Sequence, residues 1–245
     1  MDRQQLDMIR AKNPFTALND IVYEIQLQEI IHFGLPPGSR LNESKIAGTL
    51  GVSRSPVKAA LEKLLEKGFL RVQSSRYYVA EFSQKEYKNV TDLAVLLESY
   101  AAGEAALNLR PKQINDLYVM AYKLQEHYRK AINKGAATNY RDLLDEEFKF
   151  HTYIVRAANN NLVTDIYEDL KYTLFRYRSY LLYSPPSGVF ELLENDHIVL
   201  CDALKLGDKE VAEASARRHL SISRRVIARS GLMQIIGTDD AAQTE

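Results

Sequence analysis

The chain has 245 residues, 46% hydrophobic and 26% charged, with 32 basic and 32 acidic side chains, so it is too hydrophobic to be disordered and long enough for two globular domains. No apolar run approaches the ~18 residues of a membrane helix and no signal-peptide core is visible, so we expect no membrane span and no membrane partner. A single cysteine, Cys201, excludes an intrachain disulfide framework and is typical of the reducing cytoplasm.

The first informative segment is a pair of short helices joined by a glycine-containing turn. Residues 42–50 are predicted to form a helix capped by Asn42, and Gly51-Val52 makes the turn. A second helix is predicted to begin at Ser53, the expected N-cap, and to stop at Gly68. This arrangement is typical of a helix-turn-helix, whose second helix enters the major groove of DNA.

The second helix has one apolar side and a basic beginning. Its apolar stripe, which we expect to be buried, comprises Val57, Ala60, Leu61, Leu64 and Leu65. Arg54, Ser55 and Lys58 lie off this stripe, with no acidic residue before Glu62. Residues 40–76 carry eight basic and three acidic side chains, a net charge of +5, so the pattern favours a surface for phosphates and base edges over an ordinary surface helix.

A small β wing is predicted after the second helix. Residues 69–73 and 76–80 read as two β segments across the polar pair Ser74-Ser75. Taken together, segments 36–41, 50–61 and 68–70 resemble the N-terminal winged helix of GntR-type bacterial transcription regulators, with the similarity covering residues 14 to 82.

The resemblance implies a set of DNA-contacting residues and a partner. The expected contacts are Arg54, Ser55, Lys58, Ser53, Ser44 and Arg76. Lys58 stands where the family usually has arginine, and Arg76 stands near the wing tip, where a glycine is common; an arginine there would reach into the minor groove. The family implies sequence-specific binding of a double-stranded DNA operator by a homodimer, with two recognition helices in successive major grooves about 34 Å apart.

The rest of the chain is predicted to be an antiparallel all-α helical bundle, which makes the protein mainly α. Ser83 and Glu86 form a capping box that begins the bundle directly after the wing. The apolar periodicity predicts helices over 84–108, 111–133, 139–158, 161–182, 188–206 and 208–231. The predicted domains are therefore a winged-helix domain over 1–82, a helical domain over 83–232 and a frayed tail over 233–245.

Spacing brings several histidines together within the predicted bundle. If the last two helices fold back at Gly207, His197 lies ten residues before the bend and His219 eleven residues after Asp208, so both are about 15 Å from it. Glu147 and His151 are four residues apart and share one helix face. Three imidazoles and one carboxylate could therefore converge on a divalent transition metal ion.

The same segments resemble the ligand-sensing FCD domain of the FadR-type branch of the GntR family. The similar segments are 147–151, Asn160, Asp196-His197, 206–208 and 217–220. The resemblance implies that Glu147, in place of an aspartate, with His151, His197 and His219 holds a metal ion (zinc, nickel or manganese). In the family such a metal binds a small carboxylate effector.

One departure from the family concerns the effector. Ala94 stands where the family usually has an arginine that approaches the effector. Arg176 or Arg178 is a candidate substitute for effector binding.

The function predicted from the sequence is that of a transcription regulator, associated with the bacterial nucleoid in the cytoplasm, whose operator affinity changes when an effector binds the bundle. One alternative is a helical metal-dependent hydrolase with the three histidines as ligands and Glu147 as ligand or general base. The sequence has no HExxH helix, no GxSxG elbow and no phosphate-binding glycine loop, which argues against an enzyme. Another alternative is a helical scaffold with a vestigial winged helix.

Overall fold

The structure, a computed structural model, describes residues 3–134, 140–183 and 189–229. The chain divides into two compact units, Met1–Phe82 and Ser83–Glu245. The predicted turn at 184–188 and the predicted tail at 233–245 lie outside the described residues. Among the helices that the structure describes, none is long and apolar enough to cross a membrane.

The first unit is built around the helix pair that the sequence predicted. Its elements are α1 (Arg3–Lys12), α2 (Leu18–Ile31), β1 (Arg40–Leu41), α3 (Glu43–Leu50), α4 (Arg54–Glu66), β2 (Leu70–Gln73) and β3 (Arg76–Val79). The apolar side of α4 packs against α2, and Val57, Ala60, Leu61 and Leu64 are buried as predicted. Leu65, which was also expected to be buried, is only partly buried. The Asn42 side chain accepts a hydrogen bond from the Lys45 N–H and so caps α3, which confirms that cap.

The wing is a three-stranded antiparallel sheet in the order β1-β3-β2. Gln73 pairs with Arg76 across a two-residue turn in which Ser74 and Ser75 have φ of 49° and 58°. Two positive φ angles are the requirement of a type I′ hairpin turn, usually met by glycine or asparagine. The sequence did not predict β1, which is only two residues long and is paired with β3.

Helix α1, which the sequence did not predict, is attached to the turn between α3 and α4. Leu6 is buried. The Arg3 guanidinium donates hydrogen bonds to the carbonyl oxygens of Gly51 (2.7 Å) and Leu50 (3.3 Å). These contacts satisfy carbonyl groups that the end of α3 leaves without helical partners.

The second unit is an all-helical bundle around one long central helix. Its helices are α5 (Gln84–Asn108), α6 (Pro111–Lys134), α7 (Tyr140–Ala157), α8 (Asn161–Tyr183), α9 (Val189–Leu193), α10 (Asp196–Lys205) and α11 (Lys209–Arg229). The Ser83 side chain accepts from the Glu86 N–H and caps α5 as predicted. Helix α5 packs against α7, α8, α10 and α11. A Cβ atom at Gly103 would lie 2.6 Å from the Glu213 Cγ of α11, so glycine permits this close helix approach.

The prediction of one continuous helix over 188–206 was wrong. The segment forms α9 and α10, separated at Glu194 and Asn195, where Asn195 has φ −105° and ψ −4°. Arg129 and Gln125 of α6 hold these two side chains through contacts of 2.6 Å each. Such tertiary contacts interrupt a helix whose local apolar pattern continues through the break.

Candidate DNA-binding surface and metal centre

The beginning of α4 presents the basic side chains that the sequence singled out. Side chains of Arg54 and Lys58 are 69% and 61% exposed. Arg54 Nη2 lies 3.4 Å from Glu43 Oε2, and Lys58 Nζ lies 3.7 Å from Glu62 Oε1. Ion pairs this long and this exposed contribute little, so both cations are available to a phosphate or a base edge.

The other predicted DNA contacts also lie on the surface of the first unit. Ser44, Ser53, Ser55 and Arg76 are all exposed, and Arg76 is the first residue of β3 after the wing turn. Ser53 occupies the N-cap position of α4, but its side chain makes no capping hydrogen bond, which corrects the expected cap. The Ser53 hydroxyl therefore accepts no hydrogen bond from the N–H groups of the first turn of α4. Those groups remain available to an anion, which helix N-termini commonly bind.

The bundle brings three histidines together from three helices. His151 of α7, His197 of α10 and His219 of α11 are buried, and their ligand nitrogens all lie within 4.8 Å of one another. The Nε2 atoms of His151 and His219 are 3.4 Å apart. Glu147 completes the group, with one oxygen 3.4 Å from His151 Nε2 and the other 3.0 Å from His197 Nε2.

A second layer of side chains orients this cluster. Glu98 Oε2 lies 2.6 Å from His151 Nδ1, and Asp196 Oδ2 lies 2.6 Å from His219 Nδ1. The Tyr128 hydroxyl donates a 2.6 Å hydrogen bond to Glu147. A carboxylate at Nδ1 favours the tautomer with its proton there, which turns the Nε2 lone pair toward the centre of the cluster.

His197 has an environment that suits a metal ligand. Its side chain is 1% exposed; its Nε2 atom lies 3.0 Å from Glu147 Oε1, and its Nδ1 atom makes no hydrogen bond among the described residues. A buried imidazole normally has a hydrogen-bond partner, so the donor set fits a metal ion better than it fits a polar network.

The charges of the cluster favour the metal-binding protonation state at Glu147 and His219, whereas the Glu98 carboxylate outweighs the effect of burial on His151 and raises its pKa, so a metal ion would displace a proton there. Burial raises the pKa of Glu147, but the positive charges of His197 and His151 outweigh this and keep it well below its usual value. Burial, with repulsion from His197 next, lowers the pKa of His219 to about 4. Glu147 is therefore ionised and His219 neutral, as coordination requires.

Comparison with known proteins identifies the family. Residues 18–76 match the model for bacterial regulatory proteins of the gntR family, and residues 89–221 match the FCD domain. The chain belongs to the GntR family. It is 29% identical over 211 residues to the HTH-type transcriptional repressor RspR of Escherichia coli, covering 85% of this chain and 88% of RspR. It is 25% identical over 198 residues to the gluconate operon transcriptional repressor of Bacillus subtilis, covering 77% of this chain and 76% of that protein.

The fold agrees with a solved structure of the family. The structure of E. coli McbR/YncC has a TM-score of 0.74 and 23% identity, and covers 90% of this chain and all of that one. The two family matches and the named relatives make this GntR protein a DNA-binding transcription regulator with an FCD domain, as the sequence predicted. The hydrolase alternative is not supported, because the families and the named relatives are regulators.

Arg176 and Arg178, the two candidate effector-binding arginines of this GntR protein, lie in different surroundings. Arg178 Nη2 donates to Glu98 Oε1 at 3.2 Å, so it supports the carboxylate that orients His151. Arg178 also lines a cavity of about 20 Å³ beside Ala94, Tyr87 and Arg224, whereas the described lining does not include Arg176. Arg178 Nη1 and the Tyr87 hydroxyl are buried without a hydrogen-bond partner among the described residues.

Sequence reasoning missed part of this GntR regulator's site. Glu98 and Tyr128 were not recognised, and Asp196 was noted only as the neighbour of His197. Glu98 is a charged residue within an alanine-rich, largely buried stretch of α5. A carboxylate in such a position is rarely buried without a partner, and that was the available signal.

Proposed function

We propose that this GntR regulator binds its operator through the beginning of α4, with Arg54 and Lys58 as the main contacts. Ser44, Ser53 and Ser55 would contact the phosphate backbone or base edges, and Arg76 would bring the wing to the minor groove. The observation that carries the proposal is the exposure of two weakly paired cations on a helix whose other side is buried.

The operator proposal is tested by fluorescence anisotropy with duplex DNA from the intergenic region upstream of the regulator's gene. Arg54→Ala with Lys58→Ala should weaken specific binding by about 1–3 kcal/mol or more, the usual cost of losing a base-contacting arginine. Lys88→Ala with Lys130→Ala removes the same charge from exposed ion pairs of the bundle and should change little. Equal affinity of the unmodified protein for scrambled DNA would remove the basis of the proposal.

We further propose that Glu147, His151, His197 and His219 hold a divalent transition metal ion such as zinc, nickel or manganese. Support comes from their convergence, from the two carboxylates behind the histidines and from the buried His197 Nδ1 atom, which has no hydrogen-bond partner among the described residues. Elemental analysis by mass spectrometry should find metal in the purified protein and little in His197→Ala. His127→Ala removes a partly exposed histidine and should retain the metal; equal metal content in both variants contradicts the assignment.

The effector of this regulator is proposed to be a small carboxylate, with the metal supplying a coordination position for it and Arg178 supplying a charged hydrogen bond. The cavity beside Arg178 holds about one water, so binding would require α5, α8 and α11 to separate slightly. That movement is the proposed link to operator affinity.

Acetate, succinate and citrate serve as probes of the effector site in thermal-shift and operator-binding measurements. Arg178→Met should remove a carboxylate's effect on both, whereas Arg176→Met, a change to a buried arginine that does not line the cavity, should preserve it wherever the variant folds. A carboxylate response that survives Arg178→Met would exclude this arginine.

We also propose that the regulator is a homodimer formed in part by α5. Leu93, Leu96, Tyr100 and Leu107 are 39%, 60%, 37% and 58% exposed, at helical spacings that place them along one side. Leu96→Glu should shift the mass measured by native mass spectrometry toward the monomer. Val119→Glu, at a more exposed site on α6, should not; a dimer unaffected by Leu96→Glu would place the interface elsewhere.

A further inference from the structure

A second cavity lies on the side of α7 that faces away from the histidine cluster. It is a groove between α6 and α8 with a volume of about 640 Å³, within the range of small-molecule pockets. The described lining comprises Gln113, Met120, Phe148, Lys149, Thr152, Tyr153, Arg156, Ala157 and Lys171. At 100° per residue, the groove positions of α7 are on the opposite side of the helix from Glu147 and His151.

The groove combines three cations with aromatic walls. Lys149, Arg156 and Lys171 line it, and none of its described lining residues is acidic. Lys171 is 7% exposed, and its ammonium lies 5.2 Å from the centre of the Phe148 ring. A lysine is seldom buried to this extent, and the ring stabilises its charge.

Two carboxylates hold the cations from outside the lining. Glu146 accepts from Lys149 at 2.8 Å, and Glu168 binds both Arg156, at 2.9 Å, and Lys171. An ammonium has three N–H donors and a guanidinium has five, so these ion pairs leave donors for a ligand. The carboxylates therefore position the cations without occupying the groove.

A buried hydroxyl also lines the groove. Thr152 is 8% exposed and interacts with the Tyr167 hydroxyl, which lowers the pKa of Tyr167 against the larger raising effect of burial. A hydroxyl has one donor and two acceptor positions, so Thr152 retains hydrogen-bonding capacity for a ligand.

We propose that this groove is a second ligand site, for a small organic anion with an aromatic or apolar body. The anionic group would bind Lys149, Arg156 or Lys171, and the apolar body would pack against Phe148 and Met120. The site is separate from the metal cluster, but α7 contributes to both.

Met120 gives a direct readout of the groove. The chain has four methionines, and Met8 on exposed α1 serves as an internal control. In protein labelled with 13C-methyl methionine, titration with phenyl phosphate should shift the Met120 resonance saturably and leave Met8 unchanged, with Met120→Leu providing the assignment. Inorganic phosphate and phenol, each carrying half of the ligand chemistry, should bind more weakly than phenyl phosphate.

Variants test which side chains hold the probe. Lys149→Met, at a 60% exposed position that should fold normally, should weaken phenyl phosphate binding by about tenfold or more, the effect of one charged hydrogen bond. Lys171→Met should do the same, and Lys88→Met outside the groove should have no effect. His197→Ala should bind phenyl phosphate normally, so the groove can be confirmed even if the metal proposal fails. A static Met120 resonance, equal shifts of Met8, or binding unaffected by both groove substitutions would overturn the inference.

Discussion

Glu98 and Asp196 set the orientation of two histidines in the cluster. Each carboxylate lies 2.6 Å from an Nδ1 atom, which leaves the corresponding Nε2 directed at the other ligands. Both carboxylates are ionised, because histidine partners, with Arg178 for Glu98 and Arg218 for Asp196, more than offset the effect of burial on their pKa values. The two imidazoles are thus held in an orientation that the proposed metal ion could use.

Glu98→Gln should weaken metal binding by about 10- to 100-fold, the usual effect of removing such an outer carboxylate. Competition with a chromogenic chelator measures this change. Glu126→Gln alters an exposed carboxylate paired with Lys130 on α6 and should leave the affinity unchanged. Equal affinities for both variants would show that Glu98 does not orient His151.

Cys201 should be chemically inert in the folded protein. It is fully buried in α10, and burial, with the charge of Asp202 next, raises the pKa of its thiol to about 12. Since only the thiolate reacts, Ellman's reagent at pH 8 should label the native protein far more slowly than the urea-unfolded protein. Rapid labelling of the native state would contradict the described packing of α10.

The convergence of the histidines was easier to predict than their surroundings. Spacing alone aligned His197 with His219 because both are nearly the same distance from the bend at Gly207. Glu98, which comes from a helix far away in sequence, could not be paired with His151 by local pattern. Only the packing of α5 against α7 brings the two together.

The two serines of the wing turn have an energetically unfavourable backbone conformation. Ser74 and Ser75 both have positive φ, a conformation that costs an L residue about 1 kcal/mol relative to glycine. The turn is nevertheless a regular two-residue hairpin, with Gln73 opposite Arg76. The absence of glycine therefore changes the energy of the wing without changing its hydrogen-bond register.

Ser75→Gly should raise the free energy of unfolding of the first unit by about 0.5–1 kcal/mol, because glycine adopts φ of 58° without the steric cost. Urea unfolding followed by circular dichroism measures the change. Gln73→Gly, in the neighbouring strand, should have the opposite effect because glycine weakens strands. Destabilisation by Ser75→Gly would show that the serine makes a compensating contact.

The starts of α3 and α5 were predicted correctly because each helix is capped by a residue next to it in sequence. Asn42 and Ser83 bind N–H groups three residues ahead, and the helices after them begin where predicted. Elements that depend on distant partners were missed. Helix α1 is held by the turn at Gly51, and the break before α10 is held by α6.

At the scale of the molecule, the proposed metal joins α7 to the consecutive helices α10 and α11, which lie about 40 residues or more further along the chain. An ion bound to all three stabilises the native state and not the unfolded chain, by about 4 kcal/mol when its free concentration is 1,000 times its Kd. A chelator should therefore lower the Tm of the bundle. The Tm of His197→Ala should not respond to the chelator, and an equal response would mean that the metal binds elsewhere.

A chain of contacts links the small cavity to the histidine cluster. Arg178, beside the small cavity, holds Glu98, and Glu98 holds His151. Any anion that draws the guanidinium away alters the basicity of an imidazole in the cluster, and thermodynamic reciprocity requires that an ion in the cluster alters anion affinity by the same factor. Under the proposed assignments, the protein would respond to the metal ion and the effector jointly, because the amount of bound metal would set the affinity for the effector.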